Sequence, residues 1–253
     1  MNRNTLINRT LIALTLAGTL AACQSTMDAS STDTFAQNLI NSDRPASDKE
    51  RDVGRKPAEV VDFFGIQDGM TVLEILSSGG YYTEILSQRV GSKGKVIAQN
   101  NRFILDIFDG RFAKELDGRL ANKRLNNVEH YVKEFGEFDI ENQVDVVTIV
   151  LNYHDMYSNF PKAKRMKVLQ QIKKSLKPGG TVGVIDMESN NGNQKDLHRI
   201  SQDLVINDFA DAGFKLEAKA DFLKNPADDY SKVVFDKAVR GKTDRFVFKF
   251  VKA

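Results

Sequence analysis

An α/β fold, with a doubly wound, mostly parallel sheet and helices on both faces, is what this sequence predicts, and three observations predict it. Short runs of β-branched and other apolar residues, such as TVLEIL at 71–76 and VDVVTIVL at 144–151, alternate with segments whose apolar residues recur every three or four positions. Glycine turns separate them, as at 91–94 and at Pro178-Gly179-Gly180. The last two β segments, 214–223 and 245–251, have no helix of normal length between them, which points to an antiparallel pair at one sheet edge. One domain, residues 43–253, accounts for the whole series.

Each element has its own signal. Residues 34–40 suggest a short helix, and the polar stretch 41–56 reads as a loop or irregular lead-in. Pro57 suits a first helical turn, and Val60, Val61, Phe63 and Phe64 follow it before Gly65. Strand 71–76 runs through Gly79-Gly80 into a helix at 81–90, where Tyr82, Ile85, Leu86 and Val90 share a face. A strand at 95–98 precedes a helix at 102–120, weakened by Gly110 and Gly118. Strands at 128–132 and 144–151 follow. Ala163, Met166, Leu169, Ile172 and Leu176 mark a helix, then come a strand at 181–185 and a helix at 197–212 closed by Gly213.

Composition narrows the function classes. The chain has 253 residues, and Lys+Arg 36 against Asp+Glu 34 gives a net charge of +2, so overall charge offers nucleic acid nothing. One cysteine rules out an intrachain disulfide and a multi-thiolate metal site. Arg3 and Arg9 precede the apolar stretch LIALTLAGTLAA at 11–22, which is too short to span a bilayer and suits a signal peptide, residues 1–22. It ends Leu20-Ala21-Ala22-Cys23, which resembles the lipobox of bacterial lipoproteins. That resemblance implies lipidation of Cys23, a membrane partner, and, with Gln24 next, sorting to the outer membrane facing the periplasm. Residues 23–42 are then the lipidated cysteine and a flexible tether, Ser/Thr-rich at 24–33.

The series TVLEILSSGGYYTEIL, GKVIAQN, VDVVTIVLNYHD and LKPGGTVGVIDMES resembles a class I S-adenosylmethionine-dependent methyltransferase. Arg55-Lys56-Pro57, Asn152-Tyr153-His154-Asp155, His198-Arg199-Ile200 and Gly241-Lys242-Thr243-Asp244 are similar to a bacterial, often exported branch of that family. The resemblance implies seven strands with the last antiparallel, S-adenosylmethionine as cofactor and a small-molecule acceptor.

In such a sheet, ligands sit beyond the carboxyl ends of the strands, where strand order reverses. The family's acidic-x-Gly-x-Gly-x-Gly loop falls on Glu74, Leu76, Ser78 and Gly80, so only Gly80 keeps its glycine, with Gly79 beside it. Leu76 puts a branched side chain where the tight turn belongs. By the same resemblance, Asn100 stands at the ribose acid without its charge, Glu134 at the adenine contact, and Asn152 beside the cofactor. Tyr153, His154 and Asp155 end the strongest strand: His154 as proton acceptor, Asp155 to orient it, Tyr153 to wall the pocket. His130 and His198 make no metal spacing with His154, so no metal is expected. The degenerate loop leaves a second reading open, a non-catalytic binding or scaffold lipoprotein that keeps the fold.

Overall fold

The computed structural model describes residues 29–253. Cys23 and the signal segment lie outside the described residues. Seven strands form one sheet in the order β3-β2-β1-β4-β5-β9-β8. These are β1 (Thr71–Ile75), β2 (Lys95–Asn100), β3 (Val128–Val132), β4 (Val144–Val150), β5 (Leu176–Met187), β8 (Phe214–Ala220) and β9 (Arg245–Lys252). Pairs among β1 to β5 are parallel, and β9 runs antiparallel between β5 and β8. Strand order reverses between β1 and β4, which sets the crevice there.

Alternation along the strands builds two cores. Leu73, Ile75, Val147, Ile149, Val182, Val184, Phe246, Phe248 and Phe250 point to one face. There they meet Val168, Leu169 and Ile172 of α7 (Lys162–Ser175) and Val205 and Phe209 of α8 (Gln202–Asp211). Val72, Val96, Val146, Ile185 and Val247 point to the other. They meet α3 (Pro57–Phe63) and Ile85, Leu86 and Val90 of α4 (Tyr81–Val90).

Four places differ from the sequence reading. The short helix expected at 34–40 is longer, α1 (Ala29–Asn41), and takes up part of the segment read as tether, 23–42, because Phe35 and Leu39 find an apolar surface on α3 and are buried. Helix α2 (Ala46–Arg55) occupies the expected lead-in loop, its Asp48 buried against Arg119. Helix α5 (Arg102–Leu120) is interrupted at 107–110, where Phe108, Asp109 and Gly110 take positive φ. The helix expected from 197 starts only at Gln202, since β6 (Asn193–Gln194) and β7 (Arg199–Ile200) form a small hairpin first.

Candidate functional site

The loop after β1 keeps the conformation of a glycine turn without its glycines. Positions 76, 78 and 80 all lie in the left-handed region, with φ of 51° at Leu76, 52° at Ser78 and 83° at Gly80. For leucine and serine this costs backbone strain. The end of β2 holds the turn from below. Leu76 N donates to Gln99 Oε1 at 3.0 Å, Ser77 N to Gln99 O at 2.9 Å, and Ser78 N to Asn100 Oδ1 at 2.8 Å. Asn100 Nδ2 donates back to Ser77 Oγ at 2.9 Å. Asn100 is therefore fully buried and braces the loop instead of facing a ribose, a correction to the sequence reading.

Other expected cofactor residues divide. Glu74 turns into α4, accepting from Thr83 Oγ1 at 2.5 Å, and burial pushes its carboxyl up to about 7. The exposed Glu134 accepts from Arg102 N at 2.9 Å, at the start of α5. Asn152 bridges the switch point: its Nδ2 donates to Ile75 O at 3.1 Å, while the buried Oδ1 has no donor among the described residues. Gly79 and Gly80 lie under α5. A Cβ on Gly79 would meet the Glu115 carboxylate, and one on Gly80 would meet Arg119 and Leu116. Arg119 Nε also donates to Gly79 O at 2.7 Å.

After β4 the chain turns into α6 (Tyr153–Asn159), a short helix that the sequence reading, which placed these residues at a strand end, did not include. Tyr153 is fully buried and donates to Asp208 Oδ2 at 3.0 Å, in the core beside Phe209. Its side chain is thus committed to the core, whereas the sequence reading expected a pocket wall. His154 is 3% exposed and is held by Asp186 at the end of β5, its backbone N and its Nδ1 each 2.8 Å from that carboxylate. Burial opposes charge on the imidazole, but Asp186 and Asp155 outweigh it and raise the pKa. So Asp186, not Asp155, orients His154. Sequence reading missed Asp186, although an acid closing a central strand at its carboxyl end was a usable signal.

The hairpin β6–β7 returns His198 to the same place. Its Nδ1 lies 3.2 Å from His154 Nε2, and Asp155 carboxylate oxygens lie 3.5 Å from His154 Nε2 and 3.4 Å from His198 Nδ1. Separation along the chain concealed this cluster, which the spacing argument against a metal did not foresee. His130 stays on β3, opposite Ala98.

A groove of about 230 Å³ near this edge is lined by Lys56, Phe222, Asn225 and Lys242 among others. A larger hollow, about 560 Å³, lies around Lys95 and Val128 at the opposite ends of the strands and is remote from the loops described.

Comparison with known proteins agrees with this architecture. Residues 49–197 match the model of the ubiE/COQ5 methyltransferase family. Over 127 residues the chain is 28% identical to the ubiquinone/menaquinone biosynthesis C-methyltransferase of Idiomarina loihiensis, covering 50% of this chain and 46% of that one. The chain thus spans just under half the length of that curated relative. A SAM dependent methyltransferase from Aquifex aeolicus superposes with a TM-score of 0.59 at 24% identity, covering 87% of this chain and 98% of the other. A glycopeptide N-methyltransferase complexed with S-adenosylmethionine superposes at 0.53 with 14% identity, over 78% of this chain and 87% of the other. By sequence and by fold, the chain belongs to the ubiE/COQ5 family of S-adenosylmethionine-dependent methyltransferases.

Proposed function

We propose that the protein transfers a methyl group from S-adenosylmethionine to a small or medium acceptor, while tethered to a membrane by lipid on Cys23. One observation carries the catalytic half. The turn at 76, 78 and 80 retains left-handed backbone although two of its three residues pay strain for it, which supports a working cofactor loop over a decayed one. The buried, unpaired Oδ1 of Asn152 at the switch point also suits a polar ligand. Glu115, whose carboxylate lies against Gly79, is an exposed side chain that can swing aside.

The cofactor supplies a methyl group on a sulfonium, open to in-line displacement. The protein's task is alignment and exclusion of water. Loop 76–80 and Asn152 position the donor end. Asp186 on Nδ1 of His154 leaves Nε2, which lies beside His198 and Asp155, as the atom that accepts a proton from an acceptor that must lose one. The anchored half rests on Leu20-Ala21-Ala22-Cys23 and on Gln24.

A scaffold reading draws on a different observation, the amides of Gln99 and Asn100 already spent on the loop. Thermal unfolding with S-adenosylmethionine separates the two. At 100 times its dissociation constant a ligand adds about 2.7 kcal/mol. A raised midpoint supports the enzyme; no shift at millimolar cofactor leaves the scaffold.

A further inference from the structure

We propose that Nε2 of His154, Nδ1 of His198 and the Asp155 carboxylate form a three-ligand site for a divalent cation of the zinc class, its fourth position open to an acceptor oxygen or water. The two imidazole nitrogens lie 3.2 Å apart, His198 Nδ1 lies 3.4 Å from Asp155 Oδ1 and His154 Nε2 lies 3.5 Å from Asp155 Oδ2, so that one donor atom from each residue falls within 4.8 Å of the others. Tetrahedral zinc with nitrogen and oxygen ligands at ordinary bond lengths spans edges of about 3.3–3.4 Å, close to the 3.2 Å between the two imidazole nitrogens. Two imidazoles and one carboxylate are also the donor set that suits zinc with an open position.

The surroundings support the ligands as a built site. Asp186 takes the Nδ1 side of His154 at 2.8 Å, the carboxylate–histidine arrangement that fixes a ligand's tautomer and strengthens its free nitrogen. His198 sits on a stiff hairpin. The neighbouring Arg199 is fully buried and paired with Asp228 at 2.9 Å, and Ser201 N donates to Gly192 O at 2.8 Å. The His198 ring rests on Phe235, with centroids 4.8 Å apart. Charge points the same way. Asp155 and Asp186 contribute two negative charges to the cluster, and among the described residues neither pairs with a lysine or arginine. A divalent cation balances that charge with both imidazoles neutral.

With the cation bound, Nε2 of His154 is a ligand, and the cation acidifies an acceptor hydroxyl or enol in the open position. The acceptor's role rests on the methyl-transfer reading; the cation site does not. The test is titration of the full chain with Co²⁺ and then Zn²⁺, without S-adenosylmethionine. One equivalent of Co²⁺ should produce the visible bands of a tetrahedral ion, bleached when Zn²⁺ displaces it. His198→Ala and Asp155→Ala, at partly exposed positions, should each weaken Zn²⁺ binding at least about tenfold, and Asp186→Asn, if folded, by about 10–100-fold. Absence of the bands in the folded protein, or Zn²⁺ affinity unchanged in both alanine variants, overturns the site. A protein that binds Zn²⁺ in this way yet transfers no methyl group loses the activity and keeps the site.

Discussion

Leu76 poses the sharpest question at the scale of single residues. It is half-buried against the core, yet its φ of 51° suits glycine. Leu76→Ala and Leu76→Gly lose similar packing, but only glycine is relaxed in this conformation. Chemical denaturation should therefore find the glycine variant about 1 kcal/mol more stable than the alanine variant. Equal stabilities would mean the turn carries no strain. Asn100→Asp bears on the same loop. Nδ2 serves Ser77 Oγ and Ser78 O, so a carboxylate in place of the amide would loosen the loop. Glu74 gives a pH signature. Its folded pKa, pushed up to about 7 by burial, exceeds the ordinary 4.5, so the native state holds this proton more tightly than the unfolded chain does. Its contribution is fully present below pH 4.5 and is lost as pH rises to about 7, a difference of about 3 kcal/mol. Glu74→Gln should flatten that slope and be the more stable protein at pH 8, read by urea unfolding at pH 5 and pH 8.

Between elements, Arg119 is the joint. From α5 it lies 2.6 Å from Asp48 of α2 and from Glu84 of α4, and it also holds the Gly79 carbonyl. Removing it leaves two buried carboxylates short of a cation, although Arg51 and Arg124 remain beside them. Arg119→Met should cost about 3 kcal/mol, the low end for breaking a buried pair. Arg111→Ala on the exposed side of the same helix should cost under about 0.5 kcal/mol. Similar losses in the two urea curves would deny α5 its clamping role. This joint also marks the limit of what the sequence reveals. Strands were legible, since β1, β4 and β9 carry their burial in unbroken or alternating apolar patterns. Helix α2 was not, because the one residue it buries is polar, Asp48; α6 was not, because it is only seven residues long and buries His154 between Tyr153 and Met156, too short a stretch to show a period. Hydrophobic periodicity has no access to helices fixed by ion pairs and hydrogen bonds. The same limit hid Asp186 and His198, which meet His154 through sheet order and a hairpin. The positions of Gly80, Asn152 and His154 at strand ends, by contrast, followed directly from the strand assignments.

For the whole molecule, what matters is how the domain meets a membrane. No helix among the described residues is long and apolar enough to cross one. The proposed attachment is the lipid on Cys23. Helix α1 begins at Ala29 and packs on α3 through Phe35 and Leu39, so six residue steps separate the anchor from the folded body. Even fully extended, six residues reach only about 20 Å. If the proposed anchor is present, it holds the domain close to the lipid, which raises the local concentration of an acceptor at the membrane surface. A single substitution decides the attachment. Cys23→Ser removes the thiol that would carry the lipid, and fractionation should find the variant released as a soluble chain or retained as unprocessed precursor. Inserting a flexible Gly/Ser segment between Cys23 and Ala29 should leave attachment intact and only lengthen the reach. Normal maturation of Cys23→Ser with unchanged membrane association would show that something other than this cysteine holds the protein there.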